Sequence, residues 1–247
     1  MNVELLEIVA NEKIAHNIYE MKLKGNLVSL IKKSGQFLHL KMNREDLLLR
    51  RPISIASVDG DTCTLIYRVV GDGTLDMSTY KTGDRVDTLG PLGNGFCTGF
   101  IQENDEVLVI GGGIGVAPLY ELGKRLHAKG AKVKFVLGFA NQADIYYLKE
   151  FEALGDVIIC TDDGSFGLKG HVGVALEDSK PLAVYACGPT PLLKHVQEKY
   201  ADCDRVYVSL EERMACGIGA CHACDTKDKK HRVCTDGPVF RGNEVEI

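Results

Sequence analysis

Four cysteines gathered near the C-terminus constrain this chain more than any other feature. In RMACGIGACHACDTKDKKHRVCTDGPVF, Cys216, Cys221 and Cys224 are spaced by four and then two residues, and Cys234 follows a charged stretch. Four thiols so close together read as a metal site, a disulfide knot or an accident of composition. The other five of the nine cysteines, Cys63, Cys97, Cys160, Cys187 and Cys203, are scattered among strand-like runs. The N-terminal MNVELLEIVANEK carries Glu4, Glu7 and Glu12 where a secretory leader needs a basic start and an apolar core. A reducing, cytoplasmic setting is therefore expected, which disfavours disulfides and leaves the terminal four as metal ligands.

A chain of 247 residues suits one large or two modest domains with room to bury the apolar part of a cofactor. Its formal net charge of -5 supplies no basic field for nucleic acid or anionic lipid. The longest apolar stretch, VLVIGGGIGVAPL, is too short and too glycine-rich for a membrane span. Neither a nucleic acid nor a membrane is expected as partner. Early in the chain NIYEMKLKG, GQFLHLKM, RPISIASVDG, TCTLIYRVVG and GDRVDTLGPLGNG are short apolar runs broken by turn residues, the pattern of an antiparallel barrel or sandwich with no competing amphipathic helix. After QENDE the texture becomes strand, glycine turn, helix, as in a doubly wound parallel sheet. The expected organisation is a barrel over residues 1–100, an α/β nucleotide domain over 101–208 and a cysteine module over 209–247.

Gly111, Gly112, Gly113 and Gly115 follow a strand and open a helix, where missing side chains let the backbone approach a pyrophosphate. Val116 stands in place of the third glycine of the dinucleotide fingerprint, so this turn alone does not separate a nucleotide site from an ordinary doubly wound turn. A second turn, CGPTP, puts Cys187, Gly188 and Pro189 at the carboxyl end of a later strand, the edge where open sheets bind ligands. Cys187 reads either as a small buried side chain or as a neighbour of a nicotinamide. In the barrel, Arg51 offers a fork of donors for phosphate, Ser54 a hydroxyl for a flavin ring nitrogen, and Gly73 with Thr74 donors in a turn. Tyr67 reads as a cover for an aromatic ring or as core filling.

Taken in order, Arg51-Pro52-Ile53-Ser54, the Gly-Asp-Gly-Thr turn ending at Thr74, Gly111-Gly-Gly-Ile-Gly115 and Cys187-Gly188-Pro189 resemble the ferredoxin-NADP reductase superfamily. The resemblance implies an antiparallel barrel holding FAD, with Arg51, Pro52, Ile53 and Ser54 along the flavin, Ile66, Tyr67 and Arg68 beside it, and Gly73 and Thr74 at its phosphates. It also implies a nicotinamide dinucleotide on the following domain. Asp162 and Asp163 of TDDGS would repel a 2′-phosphate, which favours NAD.

The cysteine spacing repeats the front of the plant-type 2Fe-2S pattern, with Cys234 after a shorter interval. Gly217 and Gly219 would let the loop fold closely enough for backbone N-H groups to face the sulfurs. Zinc also takes four thiolates but usually employs paired CxxC knuckles, and here only Cys221 and Cys224 make one. His222 reads as an exposed loop residue, and Glu211, Glu212 and Arg213 as either a docking or a solvated cluster. With this tail the whole chain resembles the electron-transfer subunits of type B, NAD-dependent dihydroorotate dehydrogenase. That resemblance implies electrons passing from an FMN-containing catalytic subunit through a 2Fe-2S cluster and FAD to NAD in pyrimidine synthesis, in a cytoplasmic heterotetramer with two copies of each chain. Two alternatives stay open: the small subunit of an NADH-dependent ferredoxin:NADP oxidoreductase, and a stand-alone flavin reductase with a structural zinc tail.

Overall fold

Alternation along the early strands closes a barrel rather than a sandwich. In the computed structural model, which describes residues 2–177 and 180–247, the strands are β1 (Asn2–Ala15), β2 (Ile18–Lys24), β3 (Phe37–Lys41), β4 (Arg51–Asp59), β5 (Thr62–Arg68) and β6 (Arg85–Leu92). They close in the order β1-β2-β5-β4-β3-β6, every pair antiparallel. Every second residue points inward, so Leu6, Ile8, Met21, Leu23, Leu38, Leu40, Ile55, Leu65 and Val86 fill the interior. Where the sequence suggested only a turn, the GDGT segment begins a short helix, α1 (Asp72–Met77). The Thr74 hydroxyl accepts the amides of Val70 and Gly71 at 3.0 and 3.3 Å, which satisfies donors that a helix start leaves unpaired.

The second half alternates strand and helix: β7 (Glu106–Gly112), α2 (Ala117–Ala128), β8 (Lys132–Phe139), α3 (Leu148–Glu152), β9 (Asp156–Thr161), β10 (Leu168–Lys169), β11 (Ala183–Cys187), α4 (Thr190–Lys199), β12 (Val206–Ser209) and β13 (Val239–Arg241). The sheet order is β10-β9-β8-β7-β11-β12-β13, parallel throughout except for the antiparallel β13. Strands β7, β8 and β11 are apolar on both faces because separate cores, one including Val109, Phe135 and Tyr185 and the other Ile110, Val136 and Val184, flank the sheet. Among the described residues no helix is long and apolar enough to cross a membrane.

Barrel and sheet are locked through α2. Its buried Glu121 accepts the Val58 amide of β4 at 3.1 Å and pairs with Arg125 at 2.8 Å and Lys124 at 3.3 Å. Lys124 in turn donates to Ser57 Oγ and the Val58 carbonyl at 2.9 and 3.0 Å. After β12 the chain runs back to the barrel before returning as β13. There Phe37 and Leu92 of the barrel share one apolar cluster with Met214, Cys224, Val233, Cys234 and Phe240. Asn94 ties the two parts, its amide donating to the Gly237 carbonyl at 2.6 Å and its side chain to that of Asp236 at 2.9 Å.

Candidate functional site

The two glycine turns meet at the carboxyl edge of the parallel sheet. Strands β7 and β11 pair with Gly111 opposite Cys187. A Cβ placed on Gly115 would stand 2.6 Å from the Gly188 nitrogen and 2.7 Å from the Cys187 carbonyl, so only glycine allows the turns to touch. A Cβ on Gly112 would stand 2.6 Å from Leu192 Cδ1 and 3.0 Å from Pro189 Cδ. The turn is held from the other side by Tyr146, buried, whose hydroxyl donates to the carbonyls of Gly113 and Ile114 at 3.1 and 3.3 Å. Burial pushes the Cys187 thiol well up, aided by the charge of Glu211, so it stays neutral. Asp162 and Asp163 are exposed just past the end of β9. Hydrogen bonds from the Ser165 hydroxyl and amide lower the Asp163 carboxyl and keep it charged.

The barrel contributes a facing wall. Arg51 opens β4, and its guanidinium lies over Gly73, where a Cβ would come within 2.1 Å of the Arg51 Nε. Sequence reasoning offered the Arg51 guanidinium for phosphate and placed Gly73 and Thr74 at the flavin phosphates, and the fold sets Arg51 against Gly73. Strand alternation sends Ile53 toward the barrel interior and leaves Ser54 half-exposed on the outer face, paired with Phe37 of β3. On β5, Ile66 packs toward the α/β domain and Arg68 reaches the glycine turn, with Nη2 3.8 Å from a Cβ position on Gly113. Tyr67 does not join them by its side chain. It is turned into the barrel core, stacked on Tyr19 with its hydroxyl donating to Asn11 Oδ1 at 3.0 Å, the core-filling alternative.

The cysteine loop lies against the same barrel. A hairpin closed by the Asp225–Arg232 bridge, with the Val233 amide donating to the Cys224 carbonyl at 2.9 Å, folds the charged stretch back so that Cys224 and Cys234 become neighbours. Gly217 and Gly219 adopt φ of +71° and +78°, the left-handed conformation that glycine tolerates. These turns aim backbone amides at sulfur: Ile218 N donates to Cys216 Sγ at 3.4 Å and Gly219 N to Cys234 Sγ at 3.2 Å, while Cys234 N donates to Cys224 Sγ at 3.4 Å. Desolvation acts to raise the Cys216 thiol, but the amides of Ile218, Ala220 and Cys221 and the Cys221 side chain outweigh it and bring it down to about 6. Burial, together with Cys224, pushes Cys234 up to about 12. His222 is half-exposed and bonded to Asp225 at 3.3 Å, as a loop residue.

Four thiols in one loop suit either of two metal centres. Among the described residues no three His, Cys, Asp or Glu side chains converge on a single ion position. Cys216 lies close to Cys221 and Cys234 close to Cys224, with Cys216 near enough to Cys234 for their charges to interact. A structural zinc gathers its four donors around one centre, whereas two bridged irons take two thiolates each. The amides of Ile218, Gly219 and Cys234 that face the sulfurs fit the second.

Two residues near these sites, Glu121 and His39, escaped sequence reasoning, and a third, Glu211, was read there only as part of a docking or solvated cluster. Glu211 is solvent-exposed at the mouth between the two domains, where the crowding of nearby protein still raises its carboxyl and Arg68 partly offsets the effect. Glu121 reads in sequence as an ordinary helix-surface charge. His39 sits in an alternating strand that gives no sign of being covered on both sides. It is fully buried, and burial lowers it to about 4, leaving the imidazole neutral. The carbonyls of Arg50 and Met214 are close enough to influence it, but neither ring nitrogen makes a hydrogen bond of acceptable geometry. An unsatisfied buried donor costs roughly 1–3 kcal/mol.

A barrel joined to a parallel nucleotide-binding sheet, with a thiolate loop laid against the barrel, defines a flavin- and nicotinamide-dependent reductase carrying an iron-sulfur module. Residues 211–246 match the iron-sulfur cluster binding domain of dihydroorotate dehydrogenase B, and residues 109–198 the oxidoreductase NAD-binding domain. The electron transfer subunit of dihydroorotate dehydrogenase B (NAD(+)) from Enterococcus faecalis is 48% identical over 98% of this chain and 97% of its own length. The same subunit from Bacillus pumilus is 47% identical over 100% of this chain and 99% of its own. Among solved structures, a chain of the NADH-dependent reduced ferredoxin-NADP oxidoreductase, described for flavin-based electron bifurcation, superposes with a TM-score of 0.85 at 32% identity over 98% of this chain and 90% of that one. The FAD/NAD binding domain of a nitric oxide dioxygenase from Vibrio cholerae shares the fold, with a TM-score of 0.71 at 17% identity over 84% of this chain and 98% of that one. The chain belongs to the family of dihydroorotate dehydrogenase B electron transfer subunits, and its cofactors are FAD, a 2Fe-2S cluster and NAD.

Proposed function

We propose that this chain takes electrons from a separate FMN-containing catalytic subunit that oxidises dihydroorotate, and delivers them to NAD, in a cytoplasmic assembly with two copies of each chain. The observation that carries the reading is a loop of four thiols, three of whose sulfurs accept backbone amides, laid on the barrel wall that adjoins β4. An iron-sulfur centre exchanges single electrons, NAD takes a hydride, and a flavin handles both, which is the chemistry these groups supply when bound.

The protein's share is to bind and orient. Arg51, fitted over Gly73, and Thr74 are assigned to the phosphates of the flavin nucleotide. Pro52, Ile53 and Ser54, with Ile66, Arg68 and the backbone at Tyr67, form the strand pair along its ring. Gly111, Gly112, Gly113 and Gly115 with Cys187, Gly188 and Pro189 are assigned to the nicotinamide nucleotide, whose 2′-position faces the repulsion of Asp162 and Asp163. Cys216, Cys221, Cys224 and Cys234 are assigned as the iron ligands.

Isolation of the chain from its native cell tests the whole reading. The expected companion is a dihydroorotate-oxidising flavoprotein, and the purified pair contains iron, acid-labile sulfide and two kinds of flavin. A second reading, supported by the 0.85 TM-score of the bifurcating reductase chain, requires a ferredoxin- and NADP-linked companion instead. Zinc without iron would reduce the chain to a simple nicotinamide-flavin reductase.

A further inference from the structure

We propose that His39 donates its imidazole N-H to a sulfur of the iron-sulfur centre, tying the cysteine loop to the flavin-bearing wall of the barrel. The proposal rests on the assignment of the four thiols to a cluster. His39 stands on β3 opposite Pro52 of β4 and Leu89 of β6, with its side chain outside the barrel and under the cysteine module. No solvent reaches it, and although the carbonyls of Arg50 and Met214 lie near the ring, neither Nδ1 nor Nε2 makes a hydrogen bond of good geometry. A neutral imidazole has one N-H to place, and a buried donor is costly to leave without an acceptor.

The open side of the ring is the cysteine loop. Nδ1 lies 2.6 Å from the position a Cβ on Gly217 would occupy, and Gly217 directly follows the ligand Cys216. A side chain at position 217 would fill the space between ring and loop, and none is there. The same loop already turns the amides of Ile218, Gly219 and Cys234 toward thiol sulfurs. Cluster sulfurs accept such donors, and their number helps to set how readily the cluster is reduced. Because β3 is hydrogen-bonded to β4, a His39–sulfur bond would leave one strand pairing between the cluster and the residues assigned to the flavin.

The test uses the full chain, prepared anaerobically with flavin bound and its iron, sulfide and flavin contents measured. In reduced wild-type protein carrying 15N-histidine, pulsed EPR is expected to show a nitrogen coupling and an exchangeable-proton coupling to the cluster, and both disappear in His39→Leu. Removing a donor disfavours the more negative reduced state. At the poise where half of the wild-type clusters are reduced, the reduced-to-oxidised ratio of His39→Leu is expected to fall about tenfold, and His39→Gln, which keeps a neutral N-H, recovers most of it. An iron-loaded wild type with no histidine coupling, or an unchanged ratio in iron-loaded His39→Leu, overturns the proposal. If His39→Leu loses its iron, the wild-type coupling decides. Zinc in place of iron overturns the cluster assignment as well, and the metal analysis separates that failure from failure of the His39 proposal alone.

Discussion

The glycines of the nicotinamide edge and those of the cysteine loop solve different problems. Gly115 is required because the backbone of another turn, Cys187 and Gly188, occupies the space a side chain would need. That contact is set by strands β7 and β11, which are buried in register on both faces of the sheet. Gly217 and Gly219 are required because the chain must pass through left-handed conformations to aim its amides at sulfur, and at Gly217 a Cβ would in addition meet the His39 side chain. Their loop has few strand bonds of its own and is shaped around thiols. The difference teaches that the nucleotide edge is organised by protein alone, whereas the cysteine loop is completed by the metal it holds.

The largest expected effect separates the two regions. Cys234→Ser should remove the cluster and lower dihydroorotate-driven reduction of NAD in the assembled enzyme by about a hundredfold or more, read by steady-state absorbance. NADH-driven bleaching of the bound flavin should persist near the wild-type rate. Hydrogen exchange should quicken in residues 211–238 and remain slow in β7 and β11. Loss of flavin reduction in the same variant would mean that the nucleotide edge depends on the cluster, and the contrast would fail.

Two glycine substitutions sharpen the contrast from the other side. Gly115→Ala forces a Cβ against immovable backbone, so the turns must part, and the KM for NADH is expected to rise about tenfold with flavin and iron contents unchanged. In Gly73→Ala the clash is with the guanidinium of Arg51, a side chain that can swing away. The fold should survive while FAD affinity drops about tenfold through loss of the phosphate contact, measured by flavin retention on dilution.

What was legible in the sequence follows the same division. The barrel, the alternating strands and helices and the thiol spacing were readable because each rests on local periodicity or fixed intervals. The direction of Tyr67 was settled by strand register, since Cys63, Leu65 and Tyr67 share the inward face. His39 was illegible because its outer face is covered by a loop from the far end of the chain. Glu121 shows its i+3 and i+4 partners Lys124 and Arg125 in sequence, but its burial comes from β4. Such contacts carry no local pattern.

Glu121 offers a smaller test, of the joint between barrel and sheet that both regions rely on. Glu121→Gln keeps the shape but gives up the charge that Arg125 and Lys124 face, and it still presents an oxygen to the Val58 amide. Because both cations are partly exposed and can be rehydrated, the expected loss is about 1 kcal/mol, seen as a lower midpoint in denaturant. Iron content should not change. A loss confined to iron would show that the joint serves the cysteine loop rather than the two domains.

Glu211 gives the smallest effect and the most specific sign. Its carboxyl is raised by the protein around it, with Arg68 pulling the other way. A carboxyl that holds its proton more firmly in the folded chain than in the unfolded one favours folding at low pH. That contribution is lost as pH rises through the folded value, so above it the charged group opposes folding. Glu211→Gln removes the opposition. The variant should therefore melt slightly higher than wild type in mildly alkaline buffer, and the difference should vanish below the ordinary glutamate range, roughly pH 4.3. A variant that melts lower in alkaline buffer would show that attraction to Arg68 outweighs desolvation. The mouth between the domains would then be held together by that pair rather than merely tolerating it.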